Sequence, residues 1–129
     1  MPKAKPLISI VDDDEPMREA VKGLMKSWGY RVEAAASAEE FLRSPHVYST
    51  SCLIADVQMP GMTGLDLHRH LSASGKVIPT VLITAYPDDG VRERARAAGV
   101  IGYLSKPFDE KDLLACIRSA LEDDHSGGR

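Results

Sequence analysis

Cysteine, long hydrophobic runs and excess positive charge are all scarce in this sequence, and each scarcity excludes a class of protein. Only two of the 129 residues are cysteine, Cys52 and Cys116, which is too few for the disulfide framework of a small secreted domain. We therefore expect reduced, buried thiols and a cytoplasmic location. No apolar stretch approaches the roughly 18 residues that span a membrane. The basic residues 2–6 are not followed by the apolar segment of a signal peptide.

The charge balance argues against binding to nucleic acid. The formal net charge is −3 at pH 7, whereas a nucleic-acid-binding domain carries a basic patch or stripe. The chain is 43% hydrophobic and 27% charged, a mixture typical of globular domains, and its length is enough for one core. We expect one domain that binds neither nucleic acid nor membrane directly.

What the sequence does contain is a regular alternation of short apolar runs with amphipathic stretches. The apolar runs predict strands at residues 7–11, 31–35, 52–55, 78–85 and 100–104. Helical spacing predicts helices at residues 17–28, 38–43, 65–72, 88–98 and 110–121, with residues 44–50 as a loop. Because several strands are continuously apolar, the sheet must be buried on both faces. The pattern therefore predicts an α/β fold with a five-stranded, doubly wound parallel sheet.

Polar residues stand where four of these strands end. Asp12 and Asp13 follow the first strand, Asp56 follows the third, Thr84 lies near the end of the fourth, and Lys106 comes just after the fifth. The functional crevice of such a sheet lies at the carboxyl ends of its strands. We therefore expect these five side chains to converge.

Carboxylates, a hydroxyl and an ammonium group at one place suit phosphoryl chemistry. Clustered carboxylates repel each other, and a hard cation such as Mg²⁺, which prefers carboxylate and phosphate oxygens, relieves the repulsion. Asp56 ends the most central-looking strand and is the best candidate for a nucleophile that becomes an aspartyl phosphate. Lys106 would neutralise charge on the transferred group, and Thr84 would bind one of its oxygens.

Each of these residues also has an ordinary structural explanation when it is taken alone. The acids at 12–15 suit a helix N-terminus, and Asp56 suits a turn. Thr84 is a β-branched strand residue, and an isolated lysine such as Lys106 is usually a solvated surface residue. The whole set is harder to dismiss, because four strand ends independently supply the residue types that the chemistry needs.

Four stretches together resemble the receiver domains of bacterial two-component systems, most of all the FixJ-type branch. They are residues 10–18, 53–66, 81–85 and 103–108. The resemblance implies a (βα)5 flavodoxin-like fold, with a receiver domain over residues 1–122. Residues 123–129 would form a disordered tail or the start of a linker, and whether an output domain follows stays open.

The resemblance implies a metal-binding set around the phosphoacceptor. Asp56 resembles the phosphoacceptor itself, and Asp13 resembles the direct Mg²⁺ ligand beside it. Asp12 would contribute through a water molecule, and the backbone carbonyl of Gln58 resembles the third protein ligand.

The resemblance also implies a switch and its partners. Thr84 resembles the switch hydroxyl, Lys106 the phosphate-binding lysine and Tyr103 the switch aromatic, although Tyr103 is also explicable as an ordinary strand tyrosine. Lys106–Pro107 resembles a cis peptide bond, which proline permits. The phosphodonor would be a sensor histidine kinase or a phosphotransfer protein. The face formed by the fourth helix, fifth strand and fifth helix would mediate output or homodimerisation.

Three rival functions remain open on the sequence. A pseudo-receiver would keep the fold without being phosphorylated, against which the complete chemical set argues. A turnover hydrolase would need a second acid close behind the nucleophile, where Gln58 stands instead. A flavin- or nucleotide-binding protein would need a glycine-rich phosphate loop, which follows none of the predicted strands. We therefore expect a signalling switch and not a turnover enzyme.

Overall fold

The apolar runs form five parallel strands in one sheet, in the order β2-β1-β3-β4-β5. The computed structural model describes the backbone of residues 5–127 and the side chains as far as Glu122. The strands are β1 Leu7–Val11, β2 Arg31–Ala35, β3 Cys52–Asp56, β4 Thr80–Thr84 and β5 Gly102–Ser105. The helices are α1 Glu15–Ser27, α2 Ala38–Arg43, α3 Gly64–Ala73, α4 Asp89–Ala97 and α5 Glu110–Gly127. The predicted doubly wound parallel sheet is confirmed.

The helices cover the two faces of the sheet and form two separate hydrophobic cores. One core joins α2, α3 and α4 to strand residues such as Leu53 and Leu82. The other joins α1 and α5 to the intervening strand residues, such as Ile54 and Ile83. Successive side chains of a strand point to opposite faces, so the continuously apolar sequence of β3 and β4 supplies both cores. The central strands are therefore buried on both sides and hold their carboxyl ends in fixed positions.

The structure departs from the sequence predictions mainly at the boundaries of elements. Residues 44–50, predicted as a loop, contain a 3-10 helix at Pro45–Ser49, where the side chain of Ser44 accepts a hydrogen bond from the amide of His46. Helix α5 continues to Gly127, beyond its predicted end at residue 121. The division into a domain at 1–122 and a tail at 123–129 stays a prediction, and residues 1–4 and 128–129 lie outside the described residues.

Both cysteines are free thiols. Cys52 is buried, as the sequence predicts, whereas Cys116 is only partly buried. Burial raises the pKa of the Cys52 thiol to about 12. Within residues 5–127, the helices are too short or too polar for any of them to traverse a bilayer.

We predict that Gly64→Ala destabilises the protein, although alanine is the better helix former. A Cβ atom at Gly64 would overlap the carbonyl oxygen of Asp56 and lie 3.0 Å from Cδ2 of Leu82. Helix α3 would therefore have to move away from the end of β3. We expect the free energy of unfolding, measured by urea denaturation, to fall by about 1–3 kcal/mol, as in other overpacked sites.

Gly23→Ala in α1 is the matched control for this substitution. Nothing lies within 4 Å of a Cβ atom added at Gly23, so we expect only the gain in helix propensity, about 0.5–1 kcal/mol. Equal effects of the two substitutions would contradict the close approach of α3 to β3.

Candidate functional site

The carboxyl ends of the strands bring three carboxylates and one ammonium group together. Asp12, Asp13 and Asp56 each offer an oxygen atom within 4.8 Å of the others. Nζ of Lys106 donates to Oδ2 of Asp56 at 3.0 Å and to Oδ2 of Asp12 at 3.4 Å. Four of the five residues predicted to converge therefore meet directly.

Strand register explains why the two buried carboxylates are neighbours. β1 and β3 are adjacent parallel strands, and Val11 of β1 lies beside Ala55 of β3. The next residue along each strand is an aspartate, so Asp12 and Asp56 leave the sheet side by side. Only 4% of Asp12 and 6% of Asp56 is exposed, so their charges are shielded from most of the solvent.

Backbone amides orient both buried carboxylates. The amide of Asp14 donates to Oδ1 of Asp12 at 2.9 Å, and the amide of Gln58 donates to Oδ1 of Asp56 at 3.0 Å. In each case the second oxygen faces Lys106. Aspartate commonly bonds the backbone two residues ahead in this way, and here the turn fixes the direction of each carboxylate.

The electrostatics of the site are those of an incompletely neutralised acidic cluster. Burial raises the pKa of Asp12 to about 6, and the charge of Asp56 adds to this, while the Asp14 amide and Lys106 act in the opposite direction. Burial by itself would lower the pKa of Lys106, but its hydrogen bond to Asp56 and the charges of Asp12 and Asp56 outweigh burial and raise it. The Lys106 ammonium group thus pairs with two of the three carboxylates of the cluster.

The donor set fits a magnesium ion. Carboxylate oxygens are hard ligands, and Mg²⁺ usually takes one or two of them while keeping several waters. Asp13 is exposed, which leaves the cluster open to water on one side. Asp12, Asp13 and Asp56 are therefore the residues that could hold the ion, while the part of the Gln58 carbonyl stays a prediction.

The fifth predicted residue, Thr84, lies beside the cluster and contacts Gln58. Thr84 is fully buried. Its hydroxyl donates to Oε1 of Gln58 at 2.6 Å and accepts a hydrogen bond from the amide of Tyr86 at 2.9 Å. The contact of the Gln58 side chain with Thr84 was not predicted from the sequence. The position of Gln58 two residues after Asp56 was the available signal for a side-chain role.

Arg18 is a second residue that the sequence analysis missed. Its Nη1 donates to the carbonyl oxygen of Asp12 at 2.8 Å, so the first turn of α1 is tied to the residue that follows β1. The contact supports the backbone from which the carboxylate of Asp12 projects. Arginine at this point of a charged helix surface gives no distinct signal in the sequence.

Tyr103 is held against the N-terminus of α4. Its partly exposed side chain accepts a hydrogen bond from the amide of Asp88 at 3.2 Å, and the guanidinium of Arg92 lies 5.1 Å from the centre of its ring. The Lys106–Pro107 peptide bond, next to the site, is cis, as the resemblance implied. The switch role of Tyr103 stays a prediction.

A parallel α/β sheet with an acidic cluster and a lysine at its strand ends defines a receiver-type signalling domain. Residues 8–118 match the family model of the response regulator receiver domain. The chain therefore belongs to the response regulator receiver domain family, as the motifs around Asp56 and Lys106 predicted.

Its relatives are bacterial response regulators. The response regulator protein TmoT of Ectopseudomonas mendocina is 43% identical over 116 residues, which are 90% of this chain and 53% of TmoT. The transcriptional regulatory protein FixJ of Azorhizobium caulinodans is 33% identical over 129 residues, which cover 100% of this chain and 61% of FixJ. The solved structure of the response regulator StyR matches with a TM-score of 0.87 at 40% identity, covering 95% of this chain and 62% of that one.

These matches confirm the predicted similarity to FixJ-type regulators, since FixJ proteins are among the relatives. The chain spans about half the length of curated relatives such as TmoT and TodT. The matched part is the receiver domain. Functions that belong to the unmatched part of those relatives can therefore only be proposed for this protein.

We predict that Mg²⁺ stabilises the protein against thermal unfolding and that Asp13→Asn weakens this effect. An ion that binds only the folded state adds about 2.7 kcal/mol at a concentration of 100 times its Kd. Removing one carboxylate of the cluster raises that Kd. The measurement is the midpoint of thermal unfolding, followed by circular dichroism with and without Mg²⁺.

Asp14→Asn is the matched control for the metal experiment. Asp14 is the next acid along the chain and is exposed, but its carboxylate is not part of the three-residue cluster. We expect this variant to keep the stabilisation by Mg²⁺. An equal loss in both variants would indicate general charge screening and contradict a specific site.

Proposed function

We propose that this chain is the phosphorylation switch of a two-component response regulator in the cytoplasm. Asp56 would accept a phosphoryl group from a sensor histidine kinase or a phosphotransfer protein, in a Mg²⁺-dependent reaction. The single observation that carries the proposal is the bridge from Lys106 to both Asp56 and Asp12. It places a fixed positive charge beside a buried, oriented carboxylate.

The residues of the site have separate parts in the transfer. A carboxylate oxygen of Asp56 forms the new bond to phosphorus as the bond from phosphorus to the donor's imidazole nitrogen breaks, and the imidazole leaves with its electron pair and takes up a proton. Asp12 and Asp13 would hold Mg²⁺, which when bound neutralises charge on the transferring group. Lys106, only 13% exposed at its side chain, offers its ammonium to the phosphoryl oxygens.

The site favours a switch over a turnover hydrolase. The residue two positions after Asp56 is Gln58, whose carboxamide binds Thr84 and offers no acid for protonating a leaving group. The aspartyl phosphate is a reactive acyl phosphate, so its own hydrolysis would reset the protein. The complete set of Asp12, Asp13, Asp56, Thr84 and Lys106 also argues against a pseudo-receiver.

The output surface would be the face made by α4, β5 and α5. Binding of a phosphoryl oxygen by Thr84 would turn its side chain towards Asp56 and open space behind it, into which Tyr103 on the neighbouring strand can turn. Tyr103 contacts Arg92 of α4 and Asp88, the residue that caps this helix, so its movement would change the surface offered to a second copy or to an output domain. Similarity to FixJ suggests transcriptional control as the process.

We predict that acetyl phosphate adds one phosphoryl group to the protein only when Mg²⁺ is present. Asp56→Asn should abolish the gain because it removes the nucleophile. Lys106→Met should slow the reaction about 10²-fold, the usual cost of removing one donor to developing charge. The measurement is the intact-protein mass as a function of time.

Asp14→Asn is again the matched control, because it removes a neighbouring carboxylate outside the cluster. It should be phosphorylated like the unchanged protein. A gain of mass that survives in Asp56→Asn would refute Asp56 as the acceptor. If the protein binds Mg²⁺ but gains no mass from acetyl phosphate or from a histidine kinase, a pseudo-receiver would be the better description.

We predict that activation breaks the hydrogen bond between Tyr103 and the amide of Asp88. Beryllofluoride with Mg²⁺ mimics the phosphorylated carboxylate. Its addition should shift the Asp88 amide proton upfield in NMR spectra, because the tyrosine hydroxyl no longer accepts from it. Tyr103→Phe should show the shifted position before the addition and little change after it. If the chemical shift of the Asp88 amide proton in the unchanged protein does not respond to beryllofluoride, the result would argue against Tyr103 as a switch.

A further inference from the structure

The hydroxyl of Thr84 already uses its only proton before any phosphoryl group arrives. It donates its proton to Oε1 of Gln58 at 2.6 Å and accepts a hydrogen bond from the amide of Tyr86 at 2.9 Å. Thr84 is fully buried, so its hydroxyl has little access to water. Its proton is therefore committed to the carboxamide of Gln58.

A phosphoryl oxygen can only accept hydrogen bonds, and a threonine hydroxyl has one proton to donate. Oε1 of Gln58 and a phosphoryl oxygen therefore compete for the same proton, and only one of them can accept a well-aligned hydrogen bond from Thr84. Thr84 can bind a phosphoryl group on Asp56 only after its bond to Gln58 is broken. The amide of Tyr86 does not compete, because it uses a lone pair of the hydroxyl and not its proton.

We propose that the Gln58 carboxamide is a positioning group that restrains Thr84 in the unphosphorylated arrangement and opposes activation. The inference rests on the proposed function of Asp56. Gln58 is suited to this role because its backbone amide also donates to Oδ1 of Asp56 at 3.0 Å. One residue thus contacts the phosphoacceptor through its backbone and the switch hydroxyl through its side chain.

Removing the competing acceptor should make the phosphorylated arrangement easier to reach. A hydrogen bond of ordinary net strength changes an equilibrium about two- to tenfold. Gln58→Met keeps the length of the side chain and removes the acceptor. The side chain is exposed, so the substitution is compatible with folding. We expect Gln58→Met to bind beryllofluoride about two- to tenfold more tightly at saturating Mg²⁺, measured by calorimetric titration.

Gln58→Asn distinguishes the loss of the hydrogen bond to Thr84 from the loss of a polar side chain. The asparagine amide is one methylene shorter, so it cannot keep the 2.6 Å contact with Thr84 although it remains polar. We expect it to bind the analogue as tightly as Gln58→Met. If Gln58→Asn matched the unchanged protein and only Gln58→Met differed, solvation would explain the effect and the restraint would be refuted.

Thr84→Ala tests whether Gln58 acts through the hydroxyl. In this background the Gln58→Met substitution has no hydrogen bond to remove, so it should leave the affinity for beryllofluoride unchanged. Thr84→Ser restores a hydroxyl and should restore the effect of Gln58→Met. An effect that persists at full size in Thr84→Ala would show that Gln58 acts by another route and overturn the proposal.

Two failures are distinguishable in this experiment. If the unchanged protein does not bind beryllofluoride at saturating Mg²⁺, the proposed function of Asp56 fails, and the restraint by Gln58 fails with it. If the unchanged protein binds and Gln58→Met binds with equal affinity, the proposed function stands and the restraint alone is overturned. Unfolding midpoints of each variant without ligand identify any loss that comes from misfolding.

Discussion

The ion pair from Lys106 to Asp56 and Asp12 is the interaction on which the arrangement of the site depends. Two nearly buried carboxylates lie side by side, an arrangement that costs free energy unless opposite charge and hydrogen bonds offset it. Lys106 supplies the charge, and two backbone amides supply the hydrogen bonds. The compensation is incomplete, because burial still raises the pKa of Asp12 to about 6. The remaining negative charge is what a divalent cation would neutralise.

Rigid support for this charged cluster comes from the two hydrophobic cores. β1, β3 and β4 are buried along their whole length, so the ends of these strands cannot shift independently. Gly64 lets α3 start in close contact with the carbonyl of Asp56, which confines the loop after β3. Side chains that must bind one small group within a few tenths of an ångström need a backbone of this kind.

The sequence was sufficient to predict the fold and the convergence of Asp12, Asp56 and Lys106, because parallel strands end at one edge whatever the details of the loops. It was not sufficient for the contacts that side chains make across loops. The bond between Thr84 and Gln58 depends on the backbone path after Asp56, and that between Tyr103 and Asp88 on the start of α4. The spacing of Gln58 from Asp56 marks the residue, but no feature of the sequence determines either backbone path. The 3-10 helix at Pro45–Ser49 was missed because five residues are too few for periodicity to show.

A two-state element responds to a ligand only through a difference in interaction free energy between its states. At Thr84 that difference has an identifiable source. In the arrangement described here its proton is bound by a neutral carboxamide oxygen, whereas a phosphoryl oxygen would form a charge-assisted hydrogen bond, which is roughly twice as strong. Exchange of the carboxamide oxygen for a phosphoryl oxygen therefore favours activation, but only by the difference in free energy between these two hydrogen bonds. A competing acceptor of intermediate strength would thus keep the unphosphorylated state populated without preventing the change, which is the property that a reversible switch requires.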